Sequence, residues 1–173
     1  DQFLNEKVLS KCLPYFLQEI DVISGIGYLS GQKWIPAKAT DLSVAFFLKR
    51  SLNHQATFIN RKLFQDNLYR TDLKIVGDSV FFFQALIMDN ASYVDIPIEI
   101  ALCEKPGLSG QEKKAFAELE ASIKGMLPDR MVSDVDFLIN YYNPAVRMIG
   151  GWLYKMHFLK KILRFIRTNR KTR

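Results

Sequence analysis

Hydrophobic and polar positions change period several times along the chain, and each change predicts an element. In "FLNEKVLSKCLPYFLQ", Phe3, Leu4, Val8, Leu9, Leu13 and Phe16 follow a helical period that Pro14 is expected to interrupt. "DVISGIGYLSG", from Asp21, reads as a strand running into a Gly-rich turn. "SVAFFLKR" and "NRKLFQDNLY" predict short helices, with "QATFI" between them as a buried strand. From Asp78 to Met88 a nearly unbroken apolar run predicts a helix buried on several sides. "SYVDIPIEIALCE" alternates as a strand does, with Pro97 favouring an edge or a bend. "EKPGLSG" reads as a loop, and "QEKKAFAELEASIKGML" as an amphipathic helix closed by Gly125 and Pro128. From Asp134 a helical hairpin is expected, broken at Asn143-Pro144 and softened at Gly150-Gly151. Strands and helices thus mix early and helices dominate late, which predicts α/β architecture.

Composition narrows the class. With 173 residues, 49% hydrophobic and 13% aromatic, the chain can bury a sizeable core. Cys12 and Cys103 show no metal-ligand spacing and read as free thiols of a reducing compartment. No signal peptide and no membrane-spanning run stand out, so a cytoplasmic location is expected. Charge is uneven. From Phe137 onward there are nine Lys or Arg and no acid, whereas the preceding residues hold fifteen bases and eighteen acids. Such asymmetry signals an interaction rather than a fold.

At "HQATFINRKLFQDNLYRTDLKIVGDSVFFFQAL" (54–86) the sequence resembles the family 2 glycosyltransferases, inverting enzymes of GT-A fold, and among them bacterial members that build surface polysaccharides. An HQ-A-x-F strand leads into a short helix. A segment of the form lkI-x-x-D-x-x-F-F follows, and later a G-[IL]-S loop, here Gly107-Leu108-Ser109. The resemblance covers roughly residues 1–110 and implies the acceptor-side, latter part of a GT-A-like domain, with residues 111–173 as a helical extension. "DQFLNEKVL" fits the continuation of that family's acidic motif, so Asp1 would be its last acid, and the nucleotide-binding half would lie upstream.

The resemblance implies a role for each candidate. Asp78 would be the general base that takes the proton of the acceptor hydroxyl; inversion needs one such carboxylate and direct displacement. Read from its position alone, Asp78 is the N-cap of the apolar helix, and the two roles are compatible. Asp1 would ligate a divalent metal, Mg²⁺ or Mn²⁺, hard ions suited to carboxylate oxygen. His54 and Gln55 would contact the acceptor, and Ser109 would belong to a lid over the donor. Arg61 and Lys62 could meet phosphates or form a solvated helix face.

The tail carries its own pattern. Lys160, Arg164, Arg167 and Lys171 form one helical stripe, and Leu159, Ile162, Leu163 and Ile166 lie to the other side, after Trp152 and Tyr154. This predicts contact with an anionic membrane surface, which would place the protein on the inner face of the membrane. The alternative is an apolar face docked on the domain. Nucleic acid suits the stripe less, because its opposite face is apolar. The expected partners are thus a nucleotide-sugar donor, a glycan or lipid-linked acceptor, an anionic membrane surface, and no nucleic acid. The rival function is a noncatalytic peripheral membrane or interaction module derived from the same fold.

Overall fold

A computed structural model describes residues 2–103 and 112–142. Asp1, Ser109 and the basic stripe of Lys160, Arg164, Arg167 and Lys171 lie outside the described residues, as do the "EKPGLSG" loop and the Asn143-Pro144 break. The chain divides into two compact units, Asp1–Asp129 and Arg130–Arg173.

The first unit is built on a mixed sheet. Its strands are β1 (Gln2–Phe3), β2 (Val22–Leu29), β3 (Gln32–Trp34), β4 (Thr57–Ile59) and β5 (Tyr93–Cys103). The order is β1-β5-β2-β3, with β4 also paired to β2. Strands β2 and β5 run parallel, and every other pairing is antiparallel. The Gly-rich turn expected after Leu29 is the hairpin to β3, with Ser30 and Gly31 at φ 50° and 79°, the mirror-image geometry that matches strand twist. Strand β4 pairs with the first half of β2 and β3 with the second, so both share one edge.

Pro97 marks a bend. The β2–β5 register shifts around it, and Ser24 pairs with Asp95 while Ile26 pairs with Glu99. Proline cannot donate to a ladder, so the irregularity falls where a donor is missing. The β4 region is shorter and less buried than "QATFI" suggested. Residues His54–Ala56 form a 3₁₀ turn, capped by Asn53, whose side chain accepts the N–H of Gln55 at 3.1 Å; only Thr57–Ile59 are strand, and they are half-buried.

Helix α1 (Val8–Phe16) lays Val8 and Cys12 against Ile23, Ile96, Ile100 and Ala101 to form one core. Pro14 does not interrupt it. It sits in the last turn: the helix runs on to Phe16, Leu17 still donates to the Leu13 carbonyl at 3.3 Å, and the Gln18 side chain donates at 3.1 Å to the Pro14 carbonyl, one of the end carbonyls that lack an intrahelical donor. Cys12 and Cys103 are buried free thiols.

A second apolar cluster holds α4 (Gly77–Phe83), which continues into a π-type turn over Gln84–Met88, closed by the Asp89 N–H on the Gln84 carbonyl at 2.9 Å. Val80 and Phe81–Phe83 are all buried, so the expected burial on several sides holds. Phe83 meets Phe47 of α2 (Val44–Phe47) edge-on at 5.9 Å. Phe81 stacks on Phe64 of α3 (Leu63–Asp66) and lies 4.9 Å from Tyr69. Aromatic contacts of this kind add about 0.5–1.5 kcal/mol each beyond burial. They fix α4 from both flanks.

Helix α5 (Glu112–Met126) runs through Gly125 rather than stopping there, and Leu127 still donates to Ile123. Pro128 makes the break. Helix α6 (Asp129–Tyr142) therefore begins at Asp129, not Asp134: proline is tolerated just ahead of a first turn, and an acid there suits the helix dipole. No helix among the described residues is long and apolar enough to cross a membrane.

Candidate functional site

Asp78 and His54 meet. His54 Nδ1 stands 2.8 Å from Asp78 Oδ2, although 24 positions separate them in sequence. Two local structures bring them together. The 3₁₀ turn at the start of β4 presents His54, and the first turn of the buried helix α4 presents Asp78. Asp78 is not the N-cap: Val76 holds that position and no side chain caps it. The other Asp78 oxygen, Oδ1, accepts the backbone N–H of the next residue, Ser79, at 2.7 Å and its hydroxyl at 3.3 Å. As the second residue of the first turn, Asp78 gives one carboxylate oxygen to the N3 donor of Ser79, and its other oxygen is left for His54.

Another acid serves the start of α4. Glu118 of α5 accepts the N–H groups of Lys74, Ile75 and Val76 at 3.0, 2.9 and 3.1 Å. Its position in the amphipathic pattern of α5 gives no sign of this, because the contact depends on where α5 packs.

Electrostatics follow from the contacts. Burial raises the Asp78 carboxyl, but the His54 hydrogen bond and charge and the two Ser79 contacts outweigh it, so the net direction is down. The hydrogen bond to Asp78 raises His54, against an opposing effect of burial. Tyr69 is raised by burial and by the Asp78 charge. The two shifts run in opposite directions for one reason: the contact favours a carboxylate on Asp78 and an imidazolium on His54.

The pair opens on a cleft of about 1370 Å³ within the first unit. Gln55 lines it too, so three of the expected residues converge there. Trp34, Tyr69 and Phe116, each about two-fifths exposed, add ring surfaces to its walls. A large cleft with aromatic walls and a few convergent polar groups has the form of a ligand site. Arg61 and Lys62 do not line it. Lys62 instead pairs with Asp21 at 2.6 Å, where Asp21 and Ser92 lock the start of β2 to the approach to β5.

A divalent metal would need more than this site offers by itself. Among the described residues no group of three or more His, Cys, Asp or Glu could hold an ion, and both Asp78 oxygens already accept hydrogen bonds. Comparison of the chain with models of protein families, with curated proteins and with solved structures finds no match.

Proposed function

We propose that the protein is an inverting glycosyltransferase that moves a sugar from a nucleotide-sugar donor to a glycan or lipid-linked acceptor, with the described cleft as the acceptor side. The single observation that carries this reading is the Asp78–His54 pair facing a large, aromatic-walled cleft. Pyranose rings offer an apolar C–H face and a polar rim, which suits the exposed rings of Trp34 and Tyr69 beside Asp78, His54 and Gln55. The resemblance of residues 54–86 to family 2 glycosyltransferases supports the same chemistry.

In the proposed step the acceptor hydroxyl oxygen bonds to the anomeric carbon of the donor. The bond from that carbon to the phosphate oxygen breaks, and the nucleoside diphosphate leaves with the electron pair. Asp78 removes the hydroxyl proton. His54 holds the carboxylate in place, and Ser79 fixes its second oxygen. The divalent ion implied by the resemblance belongs with Asp1, outside the described residues.

A second reading has support in the 2.8 Å contact. With Nδ1 held by Asp78, the other imidazole nitrogen could take the proton, as in other carboxylate–histidine pairs. The test is sugar transfer, measured with the nucleotide-binding half that the resemblance implies joined upstream of residue 1. Asp78→Asn should lower kcat by about 10²- to 10⁴-fold, the usual scale of general-base catalysis. If Asp78 is the base, His54→Asn loses far less; equal losses transfer the role to His54. A variant Asp78→Asn that keeps more than about a tenth of wild-type kcat would return the chain to the noncatalytic reading.

A further inference from the structure

Exposed large apolar side chains of the first unit gather chiefly in two places. One is the mouth of the cleft. Trp34, Tyr69 and Phe116 line it from three separate segments, and Ile35 and Leu68, the neighbours of two of them, are 66% and 74% exposed. The other is α1, where Leu9, Leu13 and the C-cap Leu17 follow one another at helical spacing. Water is a poor solvent for such groups, and a cluster of them on a folded surface marks contact with something else.

Charge separates the two places. Beside the α1 stripe, the exposed acids Glu6 and Glu19 offset the exposed bases Lys7 and Lys11. At the cleft, Arg50 and Lys113 are exposed lining residues and Lys114 follows in sequence; none of the three forms an ion pair among the described residues. The nearby carboxylates are engaged: Asp78 by His54, Asp72 by Arg70, and Glu118 by three backbone N–H groups. Tryptophan and tyrosine rings, aliphatic side chains and unopposed bases on one surface make the combination that suits a bilayer interface. The rings and aliphatic groups enter the headgroup region while the cations meet lipid phosphates.

We propose that the mouth of the cleft docks on an anionic lipid surface, with Trp34, Ile35, Leu68, Tyr69 and Phe116 at the headgroup level and Arg50 and Lys113 against the lipid phosphates. This contact is separate from the basic stripe of the tail. It fixes how the first unit faces a bilayer, with the cleft opening toward the lipid. It stands on exposure and charge, and does not need the cleft to transfer a sugar.

The test uses the full chain carrying Trp152→Phe, which leaves Trp34 as its sole tryptophan. Vesicles of phosphatidylcholine with about a third phosphatidylglycerol, brominated in the acyl chains, should quench Trp34 emission and shift it to the blue. Vesicles of phosphatidylcholine alone should do so far less, and added salt should weaken the binding. Ile35→Ser/Leu68→Ser should lower vesicle affinity at least tenfold, because two aliphatic side chains no longer leave water. Both positions are exposed, so this variant keeps the core intact. Leu13→Ser/Leu17→Ser makes the same change on α1 and should alter affinity less than twofold. With Lys160, Arg164, Arg167 and Lys171 all changed to Gln, Trp34 should still be quenched, at a higher lipid concentration. Trp34 left unquenched by bound vesicles would mean that the tail alone attaches. That result, no vesicle binding, or equal losses in the two double variants overturns the proposal. Asp78→Asn should bind vesicles as the parent chain does, so docking and sugar transfer fail separately.

Discussion

Glu118 accepts the backbone N–H of Val76 at 3.1 Å across 42 residues of chain, and the same carboxylate takes Lys74 and Ile75. These donors precede α4, whose first N–H groups have no partner within the helix. One side chain of α5 therefore secures the segment that carries Asp78. Hydrogen bonds to a charged group contribute about 1.5–3 kcal/mol, less where solvent reaches them, so Glu118→Ala should cost about 1–3 kcal/mol in denaturant unfolding. The three backbone bonds, chiefly that to Lys74, lower the Glu118 carboxyl against the opposing effect of burial. A carboxyl lower in the folded than in the unfolded chain stabilises fully above its ordinary value and loses that contribution as pH falls through the folded value. The stability gap between wild type and Glu118→Gln should thus close at acid pH and stay constant near neutrality. A gap that widens on acidification would reject this role.

Local pattern made much of the fold legible. The strand at Val22–Leu29 with the turn after it, the short helix around Phe46, the buried helix after Asp78 and the strand around Pro97 follow from local pattern, whereas the return strand Gln32–Trp34 gave no such sign. Where reading failed, the cause lay in neighbours. Pro14 looked disruptive because sequence does not show how close the helix end is, and Asp134 looked like a start because the signal at Pro128-Asp129 was assigned to the preceding helix. The site divides likewise. Asp78, His54 and Gln55 stand out in the stretch they share, but the contact between His54 and Asp78 depends on a 3₁₀ turn and a helix start meeting in space. Trp34 comes from β3, Arg50 from the segment after α2, and Glu118 and Lys113 from α5, and no spacing rule joins these three segments to His54 and Asp78.

The His54–Asp78 pair predicts a titration. His54 is raised chiefly by its hydrogen bond to Asp78. A histidine higher in the folded than in the unfolded chain stabilises fully below its ordinary value, about 6.5, and loses that contribution as pH rises through the folded value. Proton NMR of the imidazole should show wild-type His54 titrating above 6.5 and Asp78→Asn moving it down, because burial then acts without a countercharge. Stability of wild type relative to His54→Asn should decline over the same window above 6.5. An imidazole that titrates identically in both proteins would mean that the pair does not form in solution.

Phe83 is fully buried and meets Phe47 edge-on at 5.9 Å. Removing its ring leaves a hole beneath the helix that carries Asp78. Phe83→Ala should cost about 3–5 kcal/mol, which for a chain of this length lowers Tm by roughly 6–20 °C. Phe83→Leu refills most of the volume and should cost about half as much or less. Calorimetric melting of the two variants checks the order, and equal losses would mean that the ring contact, not the volume, holds α4.

Gly27 bears on His54 from beneath. A Cβ built on Gly27 would overlap the side-chain nitrogen of Asn53 and come within 3.2 Å of the Ala56 methyl. Asn53 is the residue that shapes the turn. Its side chain accepts the Gln55 N–H at 3.1 Å, and its carbonyl accepts the Thr57 hydroxyl at 2.8 Å. Gly27→Ala must push Asn53 aside, loosen that turn and carry His54 off Asp78, at a cost of about 1–3 kcal/mol for overpacking. Its signature beyond stability is a downward shift of the His54 titration. Gly31→Ala is the control: its Cβ meets nothing within 4 Å, and only its φ of +79° is strained, so it should cost about 1 kcal/mol and leave His54 unmoved. Asn53→Ala removes the group that the new methyl strikes. The double variant Gly27→Ala/Asn53→Ala should therefore lose less stability than the sum of the two single changes, by about 0.5 kcal/mol or more. Strict additivity would place the effect of Gly27 elsewhere in the sheet and remove its link to His54.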